Sequence, residues 1–123
     1  NLIVINSEGL VGKIENVYDD YSEIIFPYNP RFNLLVFVGE NKVPGILKGD
    51  GISSFIHYIP SESEINIGDP VHLADNVNPN YINFQIGDVS EVRNEGGFLR
   101  IKIKSLLNPN AIKFISIIKN DKI

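Results

Sequence analysis

Apolar and polar positions along the chain fall into short runs, many of them alternating, separated by clusters of Pro, Gly, Asn and Asp. The clearest run is Phe98–Ser105. Leu99, Ile101 and Ile103 alternate there with Arg100, Lys102 and Lys104, which puts branched apolar side chains on one face of a strand and cations on the other. Gly96 and Gly97 precede this run, so Gln85–Lys104 reads as a hairpin. The same reading predicts strands near Leu2–Ile5, Leu10–Val17, Ser22–Phe26, Asn33–Val38, Gly45–Leu47, Ser53–Ile59, Val71–Leu73, Gln85–Val92 and Lys113–Ile118. Turn chemistry lies between them at Pro27–Pro30, Gly49–Gly51 and Asn76–Asn80. Many short strands with turn residues between them predict an all-β sandwich or barrel.

Two stretches break the alternation. Val11, Ile14 and Val17 are spaced by three, and so are Ile86, Val89 and Val92. That spacing is helical, but Gly12 and Gly87 disfavour a helix, and both stretches lead into a turn and then a strand-like run. A β-bulge shifts the alternation by one and produces the same spacing. Gly12 and Gly87 are therefore expected at tight backbone sites beside bulges, with Gly45 and Gly68 as further turn or bulge glycines. The two stretches also match in position and residue type, Val11-Gly12-Ile14-Val17 against Ile86-Gly87-Val89-Val92. This is an internal repeat, two small barrels on one plan. The reading places the first lobe at residues 1–44, with 113–119 as a candidate return strand, and the second lobe at 45–112.

Composition narrows the class. With 43% hydrophobic and 21% charged residues, the chain has an ordinary globular composition and not that of a disordered one. A net charge of −4 gives no general attraction to phosphate backbones or anionic lipid. The absence of cysteine excludes disulfides and thiolate metal sites. The chain has no methionine and begins at Asn1, and is read as a fragment. No apolar run approaches the ~20 residues of a membrane helix.

Candidate chemistry is sparse. His57 and His72 each interrupt an apolar run, as outward-facing strand residues do, and no compact ligand spacing accompanies them. None of the serines sits in a Gly-x-Ser-x-Gly elbow. Asp19–Asp20 and Glu62–Glu64 are flanked by polar residues and read as solvated turns, not an acid–base pair. The cationic face Arg100, Lys102, Lys104 has no aromatic residues interleaved with it, as a single-strand binder would. Catalytic, metal and cofactor sites are thus all expected to be absent. Tyr58, Tyr81 and Phe84 lie near loops and are the candidate partner-binding residues.

Several segments resemble one family. VINSEGLVGKIENV (4–17), PGILKGDG (44–51) leading to YIP (58–60), INIGDPV (65–71) and IGDVSEV (86–92) are similar, in that order, to the extracytoplasmic β-domain of MreC, the rod shape-determining protein family. The stretch His72–Gln85 departs from the family's pattern, and the family's domain begins with strands ahead of the position of Val4. The resemblance implies two six-stranded-type β-barrels, similar to the chymotrypsin-like architecture without its catalytic triad, the first barrel incomplete at its start. It also implies a non-enzymatic scaffold of the cell-wall elongation machinery that needs no cofactor. Such a scaffold binds penicillin-binding proteins and other membrane proteins of the elongation complex, and itself as a homo-oligomer, with no nucleic acid. It lies outside the cytoplasmic membrane, anchored by a segment upstream. The competing readings are a divergent serine protease on the same plan and a small ligand-binding or nucleic-acid-binding β-barrel.

Overall fold

The computed structural model describes residues 2–74, 84–105 and, by backbone alone, 116–118. Ten strands are present and, among the described residues, no helix: β1 Leu2–Ile5, β2 Leu10–Val17, β3 Ser22–Ile25, β4 Asn33–Val38, β5 Val43–Gly49, β6 Ser54–Pro60, β7 Pro70–Leu73, β8 Gln85–Glu95, β9 Phe98–Ser105 and β10 Ser116–Ile118. They form a closed barrel, β4-β5-β6-β9-β8-β7, and a four-stranded sheet, β10-β1-β2-β3. Every described pairing is antiparallel.

The barrel interior is filled by its own side chains. Leu47, Ile56, Ile59, Leu73, Ile86 and Ile101 are all under 2% exposed, and each branched side chain so buried stabilises by roughly 1.5–3 kcal/mol. The sheet is apolar on both faces. Ile3, Ile5 and Leu10 join the barrel's core, while Val4, Val11 and Ile14 form a second cluster with Leu2 and Ile24. This explains why the first strand reads Leu-Ile-Val-Ile without alternation, as strands covered on both sides do. Lys13 joins the two units, since its ammonium donates to the Asn33 carbonyl at 2.8 Å and lies 5.8 Å from the Phe32 ring centre.

Two features differ from the sequence reading. Asn33–Val38 does not belong to the first unit. It pairs with β5 on one side and β7 on the other, and so closes the barrel. The passage from the sheet to the barrel falls across the Phe26–Phe32 turns, not at residue 44, and Val36 and Val38 are fully buried in the barrel. The first unit is, among the described residues, an open sheet of four strands and not a six-stranded barrel. Its β10 lies within the candidate return segment 113–119 and pairs with β1.

The internal repeat is visible in the register. In β2, Val11 and Glu15 have no opposite residue. In β8, Ile86 and Ser90 have none, the same interval apart. A Cβ on Gly12 would collide with the Ile25 carbonyl oxygen of β3, and one on Gly87 with the Lys104 carbonyl oxygen of β9. The order β10-β1-β2-β3 thus repeats β4-β7-β8-β9. In the barrel, β5 and β6 close the remaining gap. Gly45 lies within β5 and not at a turn; a Cβ there would come within 2.7 Å of both Ile56 and Ile59. Gly68 sits in the turn before β7 with φ +94° and open space around it.

These two kinds of glycine should respond differently to alanine. Gly12→Ala and Gly87→Ala force backbone strands apart, and each is expected to lower unfolding free energy by roughly 1–3 kcal/mol. Gly68→Ala carries only the left-handed backbone cost of about 1 kcal/mol. Urea melts of the three variants give the ranking, and a Gly68 variant less stable than both others would contradict it.

Candidate interaction surface

Strand β6 carries an irregularity that exposes its aromatic residue. Ile56 pairs with Ile101 and Ile59 with Leu99, so His57 and Tyr58 together oppose Arg100. The extra residue lets both Ile56 and Ile59 point into the barrel, each at 0% exposure, which strict alternation forbids. Tyr58 takes up the displacement with φ +70°, a conformation costing a bulky residue on the order of 1–3 kcal/mol. Its side chain turns outward, and the residue is 58% exposed.

A shallow hollow of about 210 Å³ lies beside it, lined by His57, Tyr58, Glu95, Phe98, Leu99 and Arg100. Phe98 stands at the start of β9, paired with Pro60 and Glu95, and is 51% exposed. Gly96 and Gly97, both at positive φ, form the tight turn that brings Phe98 there. The two aromatics thus stand on neighbouring strands of a closed barrel.

Cations frame the hollow. Lys48 places its ammonium 5.8 Å from the Tyr58 ring centre. Arg100 stacks its guanidinium 3.7 Å from the Phe55 ring centre and reaches Asp50 at 3.7 Å and Glu95 at 4.0 Å. Its Nε is buried without a hydrogen-bond partner. The Asp50 carboxylate accepts the amides of Ser53 and Ile52 at 2.8 and 2.9 Å. These bonds, aided by Arg100, hold its pKa below the usual carboxylate range.

The remaining sequence candidates are spread over the fold. Phe84 is half-buried and packs against the barrel core, while its carbonyl accepts the Leu73 amide at 3.0 Å. Tyr81 lies outside the described residues. His72 is on β7 opposite Phe37 and Gln85, and β7 is not a neighbour of the β6 that carries His57. Among the described residues no three His, Asp or Glu side chains could hold a metal ion. Lys102 and Lys104 are exposed on β9, and the aromatic beside this stripe, Phe55, lies under Arg100. The sequence reading passed over Phe98. The alternation that put Arg100 and Lys102 outward carries back two positions to Phe98 and was the available signal. A larger cleft of about 480 Å³ lies elsewhere, where Phe26, Tyr28 and Leu10 meet Ile52 and Ile103.

A closed β-barrel filled by its own side chains, beside an open sheet of the same plan, defines an all-β domain among the described residues. Residues 1–119 match the family described as rod shape-determining protein MreC, barrel core. The chain belongs to that family. A comparison with curated proteins gave no match. Among solved structures, it is similar to a chain of the complex between penicillin-binding protein PBP2 and MreC from Helicobacter pylori, with TM-score 0.81, 15% identity, and coverage of 99% of this chain and 80% of that one. It is also similar to MreC of Listeria monocytogenes, with TM-score 0.80, 14% identity and coverage of 98% and 61%. The MreC of Pseudomonas aeruginosa gives TM-score 0.66 and 18% identity, over 85% of this chain and 73% of that one. The likeness to these structures is one of fold.

Both histidines should make the fold acid-sensitive. Burial first, then the charges of Arg100 and Lys48, hold His57 below its ordinary 6.5 against the opposing pull of Glu95. Burial and then Lys42 lower His72 in the same way. The folded state then binds these protons less tightly than the unfolded chain, so this stability is complete above the unfolded pKa and declines as pH falls through it. The urea midpoint is expected to fall from about pH 7 to about pH 5, and the double substitution His57→Gln, His72→Gln to flatten that decline. An equally steep decline in the double variant would assign the effect to other groups.

Proposed function

We propose that this chain is a non-enzymatic scaffold domain that lies outside the cytoplasmic membrane and binds cell-wall synthases of the penicillin-binding class. Its role in that reading is to maintain cell shape. The observation that carries the reading is the pairing of Tyr58, exposed at the cost of a left-handed backbone, with exposed Phe98 across a hollow the size of one side chain. A strained, solvent-facing aromatic does nothing for the fold that glycine would not do better, and aromatic anchors dominate protein interfaces. Family membership and the likeness to a chain from a complex of MreC with PBP2 support a partner of this class. Phe84, packed on the core, serves stability in this reading. Self-association and an upstream membrane anchor belong to the same proposal.

The test is binding of the purified chain to the soluble portion of the same organism's penicillin-binding proteins, followed by calorimetry. Tyr58→Ala and Phe98→Ala are each expected to weaken binding by about tenfold or more at unchanged melting temperature. Tyr58→Gly separates function from fold, since it should bind as weakly as Tyr58→Ala while gaining about 1 kcal/mol of stability from the relieved backbone. Undiminished binding in all three variants would remove this surface from the proposal.

A further inference from the structure

The internal repeat makes the β2–β3 tip of the sheet the counterpart of the β8–β9 tip that carries Phe98. Each hairpin is built on a twice-bulged strand, with Gly12 or Gly87 crossing closely over the partner strand at the end away from the tip. Each tip also shows aromatics to solvent. At the first tip these are Tyr18 and Tyr21, 46% and 62% exposed, with Val17 at 68% beside them. The turn is closed by the Tyr18 amide donating to the Tyr21 carbonyl at 2.8 Å. The two rings stack with centroids 4.7 Å apart, and the Tyr18 hydroxyl donates to Glu23 at 2.7 Å. This aromatic pair is fixed before any partner arrives, which lowers the entropy lost on contact.

The charge around this tip is negative, whereas the Tyr58 rim sets Lys48 and Arg100 beside Asp50 and Glu95. Asp19, Asp20 and Glu23 are exposed and, among the described residues, make no ion pair. The nearby Arg31 is committed to Glu15 at 2.9 Å. The negative field is felt by Tyr18, whose pKa is raised by its bond to Glu23 and by the charges of Glu23 and Glu15. Stacked ring faces edged by carboxylates offer a guanidinium or ammonium group both a π surface and an opposite charge.

We infer that the β2–β3 tip is a second docking surface, for an arginine- or lysine-rich segment of a partner protein, with Tyr18 and Tyr21 as its anchors. Its partner chemistry differs from that of the Tyr58 rim, so the sheet and the barrel engage different segments. The inference is independent of which synthase the rim binds.

The test uses fluorescein-labelled hexa-arginine and the 123-residue chain in an anisotropy titration at low ionic strength. Tyr18→Ser with Tyr21→Ser keeps the net charge and should weaken binding about tenfold. Asp19→Asn with Asp20→Asn should weaken it by a similar factor and flatten its salt dependence. Tyr58→Ala should leave hexa-arginine binding unchanged, which distinguishes this surface from the rim. Amide shift changes on titration should centre on Val17–Glu23. Equal binding by the tyrosine double variant would show a diffuse charge effect and overturn the proposal. So would shift changes centred elsewhere, or no binding by the parent chain. Should the tyrosine variant also melt earlier, Tyr21→Ser alone decides, since the Tyr18–Glu23 bond stays in place, and full binding by it would equally overturn the inference.

Discussion

The close crossing of strands at two glycines governs both halves of the molecule. At Gly12 the Ile25 carbonyl, and at Gly87 the Lys104 carbonyl, occupies the space a side chain would take. At both positions the contact lies beside a bulge, where one strand coils tightly over its neighbour. The bulges at Val11 and Ile86 supply the coil, and they turn Val11 and Ile86 inward at 3% and 1% exposure. In the barrel this curvature brings β7 back to β4 and closes the cylinder. In the sheet the same curvature folds β1–β3 over the barrel, so that Ile3, Ile5 and Leu10 join its core.

A further irregularity, at His57 and Tyr58, differs in kind from these. It also reconciles a strand with a filled interior, since Ile56 and Ile59 both point inward. Yet the displaced residue is a tyrosine at positive φ where glycine would be relaxed. The role proposed for Tyr58 rests on this departure from local preference. The glycine bulges serve the fold, whereas the tyrosine bulge opposes local preference and leaves an aromatic in water.

What the sequence disclosed was local. Apolar runs and turn residues placed β1, β2, β4 and β9 at their observed bounds, with alternation adding to this in β4 and β9, because side-chain period and backbone freedom are properties of neighbouring residues. The matching Gly12 and Gly87 segments revealed the shared plan for the same reason. Partner choice between strands was hidden. Asn33–Val38 alternates equally well for either unit, and only the availability of both β5 and β7 assigns it to the barrel. The surface was half-legible. Tyr58 stood out as an aromatic near a strand end, but strict alternation would have put it on the same face as Ile56, and the bulge that frees it leaves no residue-type signature. Phe98 followed from a pattern already seen in Arg100 and Lys102.

The first strand has its second neighbour at the far end of the chain, for Ile3 lies opposite Ile118 and Val4 opposite Ile117. The barrel likewise waits for late arrivals, as β6 pairs with β9 across Phe55 and Lys102. One edge of β1 therefore stays unpaired until residues 116–118 reach it, and one edge of β6 until β9 does. Loop closure over such spans precedes its reward, and folding of this kind runs on the order of milliseconds to seconds. During that interval the Leu-Ile-Val-Ile edge is open to pairing with a foreign strand, so the exposure is set by the time folding takes and not by the finished form.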